Sequence, residues 1–499
     1  MATKVKVAAK RTVIKSKAAT RTTQLPLYHK AINWNALYRE YPVPDVYANT
    51  VYLWSAERVR ALQNKRFLAL MQVGWRNKFY QRLWKKAGLT PRDIRSIDDI
   101  EKLPTFNSDD IKNDQAEHPP FGDLPGYKSL REHLLATPSR LQSSGGTTGK
   151  PRYTLQGIAE NEVNSISAAR GLYLQGVRPG DILQIPATNS MASLPWAYSK
   201  ACNEYLGVLP ITTGSGVVTP TRRQLEIAFD IGVNCWMSFP EYLARLAQAA
   251  KDELGRDVRE LKTKMITTFL GPDTEGTLRA HLESLWGCPV YDNYGVNEVG
   301  HGALECVHRN GLHFFEDLSY FEILDTESNA PVPHGKVGNL VATVFYRKTF
   351  PIIRYNLRDL GRMVSTETCA CGSNFRRMDH FLGRSDNMVR MRGVNIYPMA
   401  CLPAVRSDPR TTGEWVCEAY DAVVDGRARE ELTVHVEVRP DAGATGDLQA
   451  KLEARLKNDL GLSVGVKLAE EGKLATVANL GEGKAKRLIE RRAAYLKNK

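Results

Sequence analysis

The sequence predicts an α/β fold, in which a large domain of strands and helices is followed by a small α+β domain. From about residue 140, short apolar runs alternate with segments of helical periodicity. Near residues 383–386 this pattern of alternating strands and helices changes. Strands that alternate with helices are typical of largely parallel sheets. The 499 residues suffice for at least two domains with a sizeable core.

The elements of the large domain are predicted in chain order. Residues 55–84 lack proline and carry apolar residues at helical spacing, which predicts helix. Four apolar runs are predicted as strands, at residues 181–186, 207–210, 233–239 and 265–270. Helices are predicted at 222–229 and 241–254, and residues 312–364 show β-type alternation, as in 337–346.

The domain division is predicted near residue 384. We expect a basic, disordered tail over residues 1–25, a large domain over 26–384 and a small domain over 385–499. Within the small domain, residues 432–438 are predicted as a strand. Helices are predicted at residues 447–460 and 484–497.

Composition and charge exclude several classes of protein. With 42% hydrophobic and 25% charged residues, the chain resembles ordinary globular proteins rather than collagen, coiled coils or disordered chains. The net charge is +13, but residues 1–21 carry +7 and residues 483–499 carry +6. The body is therefore neutral, and no nucleic-acid partner is expected. The alternative, a nucleic-acid-binding protein with basic ends, predicts steeply salt-dependent binding by those ends.

The sequence also predicts the compartment. No apolar run approaches the roughly 18–20 residues that span a bilayer, and there is no secretory h-region. The first twenty residues resemble a transit peptide in part, but they are rich in Lys rather than Arg, which favours a disordered tail. Eight cysteines are sparse for this length, so a reducing, cytoplasmic compartment is expected.

The strongest local signal is the sequence SSGGTTGKPR at residues 143–152. Its glycines let the backbone approach a phosphate, while hydroxyl groups and a lysine add donors and charge. The phosphate-binding residues predicted here are Ser144, Gly145, Gly146, Thr147, Thr148, Gly149 and Lys150. The spacing differs from that of P-loop NTPases, and a flexible glycine-rich loop is the alternative.

Five segments, in order, resemble the signatures of the acyl-adenylate-forming superfamily. They are residues 143–152, YGVNE at 294–298, RYNLRDL at 354–360, GRSD at 383–386 with RGVNIYP at 392–398, and GKAKRL at 483–488. The RDL and GVNIYP variants, with CACG at 369–372, look most like the phenylacetate-CoA ligase branch. The resemblance runs from about residue 53 to the C-terminus. It extends to the coronafacate ligases, which form amides.

The resemblance implies that the chain binds ATP and Mg²⁺. Glu298 would hold the magnesium ion, and Asp359 would accept hydrogen bonds from the ribose hydroxyls. Tyr294 would stack on adenine. The other residues implied at the adenine and ribose are Gly271, Pro272, Asp273, Asp292 and Arg384. The alternatives are a solvated carboxylate for Glu298, a core position for Tyr294, and a pair with Arg358 or Arg362 for Asp359.

The small domain would act as a mobile lid that carries the catalytic lysine. By resemblance, Lys484 bridges the substrate carboxylate and the α-phosphate, and Asp386 is the hinge about which the lid turns. A solvated basic run is the alternative for Lys484.

The implied reaction converts a carboxylic acid and ATP to acyl-AMP and pyrophosphate, and then transfers the acyl group to CoA. Transfer to an amino acid or another amine is the alternative, and a homodimer is left open. Two departures limit the substrate prediction. Asn297 replaces the usual Thr or Ser, and residues 187–196 replace the glycine-rich stretch that lines the acyl pocket of phenylacetate ligases. Phenylacetate itself is therefore disfavoured.

A second constellation predicts a structural zinc site. Cys306, His313, Cys369 and Cys371 would complete a tetrahedral shell of three sulfurs and one imidazole. The two halves can meet only if the segment between them folds back, and His308 competes with His313 for the fourth place. Buried free thiols are the alternative.

Overall fold

The computed structural model describes residues 25–127, 129–144, 152–273, 275–385, 389–391, 394–424, 427–474 and 487–492. The helices are α1 (Leu27–Lys30), α2 (Trp34–Glu40), α3 (Pro44–Ala48), α4 (Ala56–Gly74), α5 (Lys78–Lys86), α6 (Ser108–Glu117), α7 (Leu130–Ala136), α8 (Ile158–Leu174), α9 (Leu194–Lys200), α10 (Thr221–Ile231), α11 (Pro240–Leu254), α12 (Thr277–Trp286), α13 (Leu402–Arg406) and α14 (Leu448–Leu460). Short 3-10 turns lie at Val51–Leu53, Ile97–Lys102, Val258–Leu261 and Pro398–Cys401, and one π turn lies at Ala201–Leu206.

The strands are β1 (Ser139–Ser144), β2 (Arg152–Gly157), β3 (Ile182–Gln184), β4 (Leu209–Ile211), β5 (Cys235–Met237), β6 (Met265–Thr268), β7 (Val290–Val296), β8 (Gly300–Glu305), β9 (Leu312–Phe314), β10 (Ser319–Leu324), β11 (Gly338–Val344), β12 (Ile352–Gly361), β13 (Met363–Ser365), β14 (Arg377–Met378), β15 (Gly383–Arg384), β16 (Val389–Met391), β17 (Val394–Ile396), β18 (Thr411–Val424), β19 (Arg427–Val438), β20 (Gly465–Glu470) and β21 (Leu488–Glu490). The predicted α/β class is confirmed, with a large domain of sheets and helices followed by a small α+β domain.

The largest sheet has nine strands in the order β13-β14-β9-β8-β7-β6-β5-β3-β4. Strands β4, β3, β5, β6 and β7 run parallel, and pairing becomes antiparallel from β7 to β13. All residues of β5 and β6 are buried, as is usual where helices cover both faces of a parallel sheet. The site therefore forms where the carboxyl ends of parallel strands meet the antiparallel part.

A second sheet and a hairpin complete the site. The antiparallel sheet β10-β11-β12-β15 places Asp359 directly opposite Arg384. The hairpin β1-β2 pairs Ser144 with Arg152 across the ends of the glycine-rich loop. The residues between these two strands, in which phosphate binding is predicted, lie outside the described part of the chain.

The predicted helix at residues 55–84 is divided into α4 and α5. Ser55 caps α4, because its Oγ accepts a hydrogen bond from the Arg58 amide at 3.4 Å. Asn77 caps α5, because its Oδ1 accepts a hydrogen bond from the Tyr80 amide at 3.3 Å. The second cap permits a new helix direction without leaving the first amides of α5 unpaired.

The small domain has its own apolar core. It packs α13, α14 and the sheet β20-β19-β18-β21 around residues that include Val389, Trp415 and Leu452. β15 belongs to the large domain, because Gly383 and Arg384 pair with β12. These placements support the boundary at residue 384, which stays a prediction. Arg455 Nη2 forms an exposed ion pair with Glu275 Oε1 of the large domain at 2.6 Å.

The predicted helix at residues 484–497 is wrong at residues 488–490. These residues form β21, which runs parallel to β18 and pairs Leu488 with Cys417. The sheet edge offers hydrogen-bond partners and an apolar surface that the local helical pattern does not reveal. Among the described residues, no helix is long and apolar enough to cross a membrane.

Candidate active site

The centre of the site is a carboxylate held by a phenol and a guanidinium. The Tyr294 hydroxyl donates to Asp359 Oδ2 at 2.7 Å, and Arg384 Nη1 donates to Oδ1 at 2.8 Å. Burial, and next the charge of Asp359, raise the pKa of Tyr294 well above its ordinary value, so the hydroxyl stays protonated and donates. The neighbouring arginines turn elsewhere, since Arg358 pairs with Asp109 and Arg362 with Asp379.

A second ion pair lies at the base of the glycine-rich loop. Glu298 is only 3% exposed, and its Oε1 accepts a hydrogen bond from Arg152 Nε at 2.9 Å. Burial, the largest single cause, lowers the pKa of Arg152, but the charge of Glu298 and its hydrogen bond, together with Tyr355, raise the pKa above its ordinary value. Glu298 is therefore a buried carboxylate rather than a solvated one. A single carboxylate beside the loop that is predicted to bind phosphate fits a magnesium ion, which is commonly held by one or two carboxylates and substrate phosphates.

Asn297 joins the hairpin to the stretch at residues 187–196. Its Nδ2 donates to the Ser143 carbonyl at 3.0 Å, and its Oδ1 accepts from the Ser193 amide at 3.2 Å. A Thr or Ser at this position has a side chain too short to span both groups. The departure from the family pattern thus has a structural use.

Two predicted adenine residues have structural partners. Asp273 Oδ1 and Oδ2 accept from the Leu278 and Arg279 amides at 3.0 and 2.9 Å, which caps the start of α12. Asp292 Oδ1 accepts from the Leu270 amide at 2.8 Å, and its Oδ2 contacts His380 Nδ1 at 2.9 Å. Although burial lowers the pKa of His380, the hydrogen bond and charge of Asp292 raise it above its ordinary value.

These contacts fix the backbone around the end of β6. Gly271 follows that end with a φ of +72°, a conformation that glycine adopts without strain. Pro272 is buried beside it. The adenine roles of Gly271, Pro272, Asp273, Asp292 and Tyr294 stay predictions. Tyr294 packs edge-on to Phe321 and parallel to Phe381, with ring centroids 6.4 Å apart in both pairs.

Several predicted residues lie outside the described part of the chain. They are Gly145, Gly146, Thr147, Thr148, Gly149, Lys150, Asp386 and Lys484. Ser144 ends β1, where its backbone pairs with Arg152. Their predicted roles in phosphate binding, hinge motion and catalysis stay predictions.

The cysteine and histidine constellation comes together, as its zinc interpretation requires. The ligand atoms of Cys306, His313, Cys369 and Cys371 lie within 4.8 Å of one another. The Cys306 and Cys369 sulfurs are 3.9 Å apart, and Cys371 Sγ is 3.8 Å from His313 Nε2. Tetrahedral zinc with bonds of about 2.3 Å to sulfur separates its ligands by about 3.8 Å. The geometry therefore fits zinc, with His313 rather than His308 as the fourth ligand.

Sequence reasoning missed the parts played by Arg152, Asn297 and His380. Arg152 ends the glycine-rich motif, so its position offered a usable signal. Asn297 was visible only as a departure from the family pattern. His380 meets Asp292 across 88 residues, and no local pattern predicts such a contact.

The fold and this site define an adenylate-forming ligase. Residues 393–492 match the AMP-binding enzyme C-terminal domain family. The chain is 30% identical over 460 residues to phenylacetate-coenzyme A ligase of Thermus thermophilus, covering 85% of this chain and 97% of that one. Identity is 28% over 454 residues to phenylacetate-coenzyme A ligase of Escherichia coli, covering 88% and 96%. The chain belongs to the phenylacetate-coenzyme A ligase family.

Solved structures of 2-hydroxyisobutyryl-CoA ligase share the fold. The TM-score is 0.76 at 25% identity to that enzyme in the postadenylation state with R3-HIB-AMP, covering 90% of this chain and 92% of that one. It is 0.63 at 26% identity to the thioesterification state with 2-HIB-AMP and CoA, again covering 90% and 92%. The chain thus superposes better on the postadenylation state.

Proposed function

We propose that this protein is an ATP-dependent carboxylic acid ligase that makes acyl-AMP, releases pyrophosphate and transfers the acyl group to CoA. The observation that carries the proposal is the site in which Tyr294 and Arg384 fix Asp359, beside the Arg152–Glu298 pair at the phosphate hairpin. The family relationship over most of the chain supports the same chemistry.

In the first half-reaction, a carboxylate oxygen of the acid forms a bond to the α-phosphorus of ATP. The bond from that phosphorus to the bridging oxygen breaks, and pyrophosphate leaves with the electron pair. Tyr294 and Arg384 hold both oxygens of the Asp359 side chain. The Asp359 carboxylate is therefore oriented before ATP arrives. An ionised, fixed carboxylate suits two ribose hydroxyl donors. Positioning and charge neutralisation supply most of the catalysis in such transfers.

Glu298 would hold the magnesium ion, which neutralises phosphate charge when bound. Arg152 neutralises Glu298 in its absence, and the same guanidinium lies next to the loop proposed to bind the β- and γ-phosphates. Arg152 can therefore move from a carboxylate to a phosphate oxygen as ATP enters. Without either Arg152 or the magnesium ion, the buried Glu298 would remain charged without a partner.

In the second half-reaction, the thiol of CoA attacks the acyl carbonyl carbon. The C–S bond forms, the C–O bond to AMP breaks, and AMP leaves as the thiol proton passes to solvent. We infer that the small domain turns about Asp386 between the two steps, which withdraws Lys484. The related 2-hydroxyisobutyryl-CoA ligase has been solved with 2-HIB-AMP in the postadenylation state and with 2-HIB-AMP and CoA in the thioesterification state.

Transfer to an amine is the second candidate for the final step. The motifs common to the family do not distinguish a thiol from an amine, and residues 187–196 differ from the phenylacetate pattern. In this stretch Trp196 is 41% exposed and Met191 is 42% exposed. Two large apolar side chains thus remain accessible. The acid is not phenylacetate in this proposal, because residues 187–196 replace the glycine-rich lining of the phenylacetate ligases.

A panel of carboxylic acids with ATP, and with either CoA or mixed amino acids, tests the function. We expect acid-dependent pyrophosphate release and, by mass spectrometry, an acyl-CoA thioester. Asp359→Asn should raise the KM for ATP by about tenfold, because a charged acceptor is lost, whereas Asp379→Asn should not. An accepted acid that yields an amide but no thioester would remove CoA as the acceptor. Absence of pyrophosphate with every acid would refute the ligase.

We also propose that Cys306, His313, Cys369 and Cys371 hold a structural zinc ion. A complete protein shell leaves no open position, so the ion would stabilise the fold rather than take part in the reaction. The Tyr52 hydroxyl lies 3.3 Å from Cys371 Sγ, so the site also anchors the amino-terminal helices.

Metal analysis should find about one zinc ion per chain. Cys306→Ser should lose the metal and lower the melting temperature, while Cys288→Ser, at a buried cysteine outside the cluster, should retain it. A strong chelator should lower the melting temperature of the wild type to that of Cys306→Ser, and it should leave the melting temperature of Cys306→Ser unchanged. Metal-free protein with an unchanged melting temperature would show that the four residues are ordinary buried side chains.

A cytoplasmic location remains part of the proposal. None of the eight cysteines, all of which the structure describes, forms a disulfide, which suits a reducing compartment.

A further inference from the structure

Two arginines of the large domain are fully buried, and their surroundings differ. Arg170 and Arg347 both have 0% exposure. Arg170 Nη1 donates to Asp317 Oδ2 at 3.0 Å, and its Nε and Nη2 donate to the Pro42 carbonyl. For Arg347, none of the three guanidinium nitrogens has a hydrogen-bond partner among the described residues. Because a guanidinium stays charged in proteins, burying one without an acceptor costs several kcal/mol.

The carboxylate of Glu160, which binds the two residues after Arg347, is already engaged. Glu160 Oε1 accepts from the Lys348 and Thr349 amides at 2.6 and 2.5 Å, and Oε2 accepts from the Gly157 amide at 2.9 Å. Segments outside the described residues contain only three acids, all after residue 385. Among the described residues, no acidic side chain pairs with Arg347.

A second guanidinium lies beside Arg347. Arg140 Nε is also buried without a partner among the described residues, while Nη2 donates to Gln156 Oε1 at 3.5 Å. Burial lowers the pKa of Arg140, the charge of Tyr28 raises it, and the charge of Arg347 lowers it. The geometry agrees, because Gly157, next to the Gln156 that faces Arg140, and Lys348, next to Arg347, both donate their amides to the Glu160 carboxylate. With Glu160 nearby, the group carries a net charge of +1.

These cations end a polar face of the β1-β2 hairpin. The register places Arg140 opposite Gln156, and Gln142 opposite Thr154, on the same face. Gln142 Oε1 and Thr154 Oγ1 are buried and have no partner among the described residues. Buried polar groups are nearly always hydrogen-bonded in native proteins, so this face offers a polar ligand one hydroxyl that can donate, from Thr154, and one amide oxygen that can accept, from Gln142.

The same face borders the stretch that replaces the family's acyl-pocket lining. The Arg140 guanidinium lies 5.5 Å from the ring centroid of Trp196, and the Ser143 amide donates to the Met191 carbonyl at 3.1 Å. At about 3.4 Å per residue, Arg140 lies about 14 Å along β1 from Ser144, where the phosphate loop begins. A molecule reacting at the loop could therefore extend along this face toward the two arginines.

We propose that Arg347 and Arg140 form a buried oxyanion subsite, which binds a carboxylate or phosphate-type group at the far end of the hairpin face. A guanidinium fork binds such groups in bidentate fashion, and one negative charge neutralises the site. The anion comes either from a second anionic group on the acid substrate or from a free inorganic anion. The first source rests on the proposed function; the second does not.

The first arm of the test needs no catalysis. Thermal unfolding of the full chain is followed in phosphate and in chloride at equal ionic strength, without ATP. If a free anion fills the site, phosphate raises the wild-type melting temperature and Arg347→Met abolishes this dependence. Arg347→Met should itself fold at least as stably in chloride, because it removes an unpaired buried charge. Arg170→Met, the matched buried arginine, should lose stability in both salts.

The second arm compares acids that differ only in a terminal carboxylate or methyl group. If the substrate fills the site, wild-type kcat/KM for pyrophosphate release should favour the dicarboxylic acid by about tenfold or more. Arg347→Met should abolish that preference while retaining turnover of the monocarboxylic acid. Arg140→Met, at a half-buried position, repeats both arms should Arg347→Met fail to fold. The proposal is overturned if neither phosphate stabilisation nor dicarboxylate preference depends on these arginines. Phosphate stabilisation that depends on them, in a protein without ligase activity, would refute the proposed function alone.

Discussion

Replacing Lys484 with Ala is expected to slow acyl-adenylate formation by a factor of about 10² to 10³. In the proposed mechanism, this lysine neutralises charge that develops between the carboxylate and the α-phosphate. Removing such a group raises the barrier of the chemical step much more than it weakens substrate binding. The measurements are acid-dependent pyrophosphate release and an equilibrium titration with ATP, for which the affinity should change only a few-fold.

Lys486→Ala is the matched control, since it removes the same charge from the same basic run. It should keep adenylation within a few-fold of the wild type. Lys484→Ala should also retain thioester formation from acyl-AMP supplied in solution, because the proposed turn of the lid withdraws this lysine before that step. Near-normal pyrophosphate release by Lys484→Ala would place the catalytic charge elsewhere.

Replacing Arg170 with Met is expected to lower the free energy of unfolding by about 3 kcal/mol. The change leaves Asp317, only 1% exposed, without its partner at 3.0 Å, and it removes two donors from the Pro42 carbonyl. Arg66 remains 3.8 Å from the same carboxylate, so the loss should fall at the lower end of the range for a broken buried pair. Urea denaturation, followed by tryptophan fluorescence and circular dichroism, measures it.

Arg222→Met supplies the control for that experiment. Arg222 pairs with Glu226 on the exposed face of α10, so its replacement should change the free energy of unfolding by at most about 0.5 kcal/mol. Equal losses for the two variants would mean that burial of the Arg170–Asp317 pair has no special weight in this fold.

Much of the fold could be predicted, because burial dominates its sequence pattern. Strands β5 and β6 fall within the runs predicted at residues 233–239 and 265–270, since parallel strands covered on both faces need continuous apolar residues. The strand at residues 488–490 could not be predicted, because its partner is the edge of β18, some 70 residues earlier. The division between α4 and α5 depends on one asparagine cap, a signal too local for periodicity to detect.

The candidate site shows the same contrast. The motif order brought Tyr294, Asp359 and Arg384 together in prediction, and their hydrogen bonds are present in the structure. The unpartnered state of Arg347 could not be predicted, because it depends on where every neighbouring acid points. The proposed zinc ligands could be predicted only in part. Their residue types indicated the chemistry, but their approach depends on how strands β8, β9 and the loop after β13 fold.

The amide of Asn297 has a consequence for inhibition. By joining the Ser143 carbonyl to the Ser193 amide, one side chain holds the β1-β2 hairpin, proposed to bind the nucleotide, against residues 187–196, proposed to line the acid pocket. A bisubstrate compound, with an acid covalently joined to a nucleoside monophosphate, would meet two half-sites already set at a fixed separation. Such a compound loses little affinity to ordering its target. Linker length should therefore be the most sensitive variable in its design.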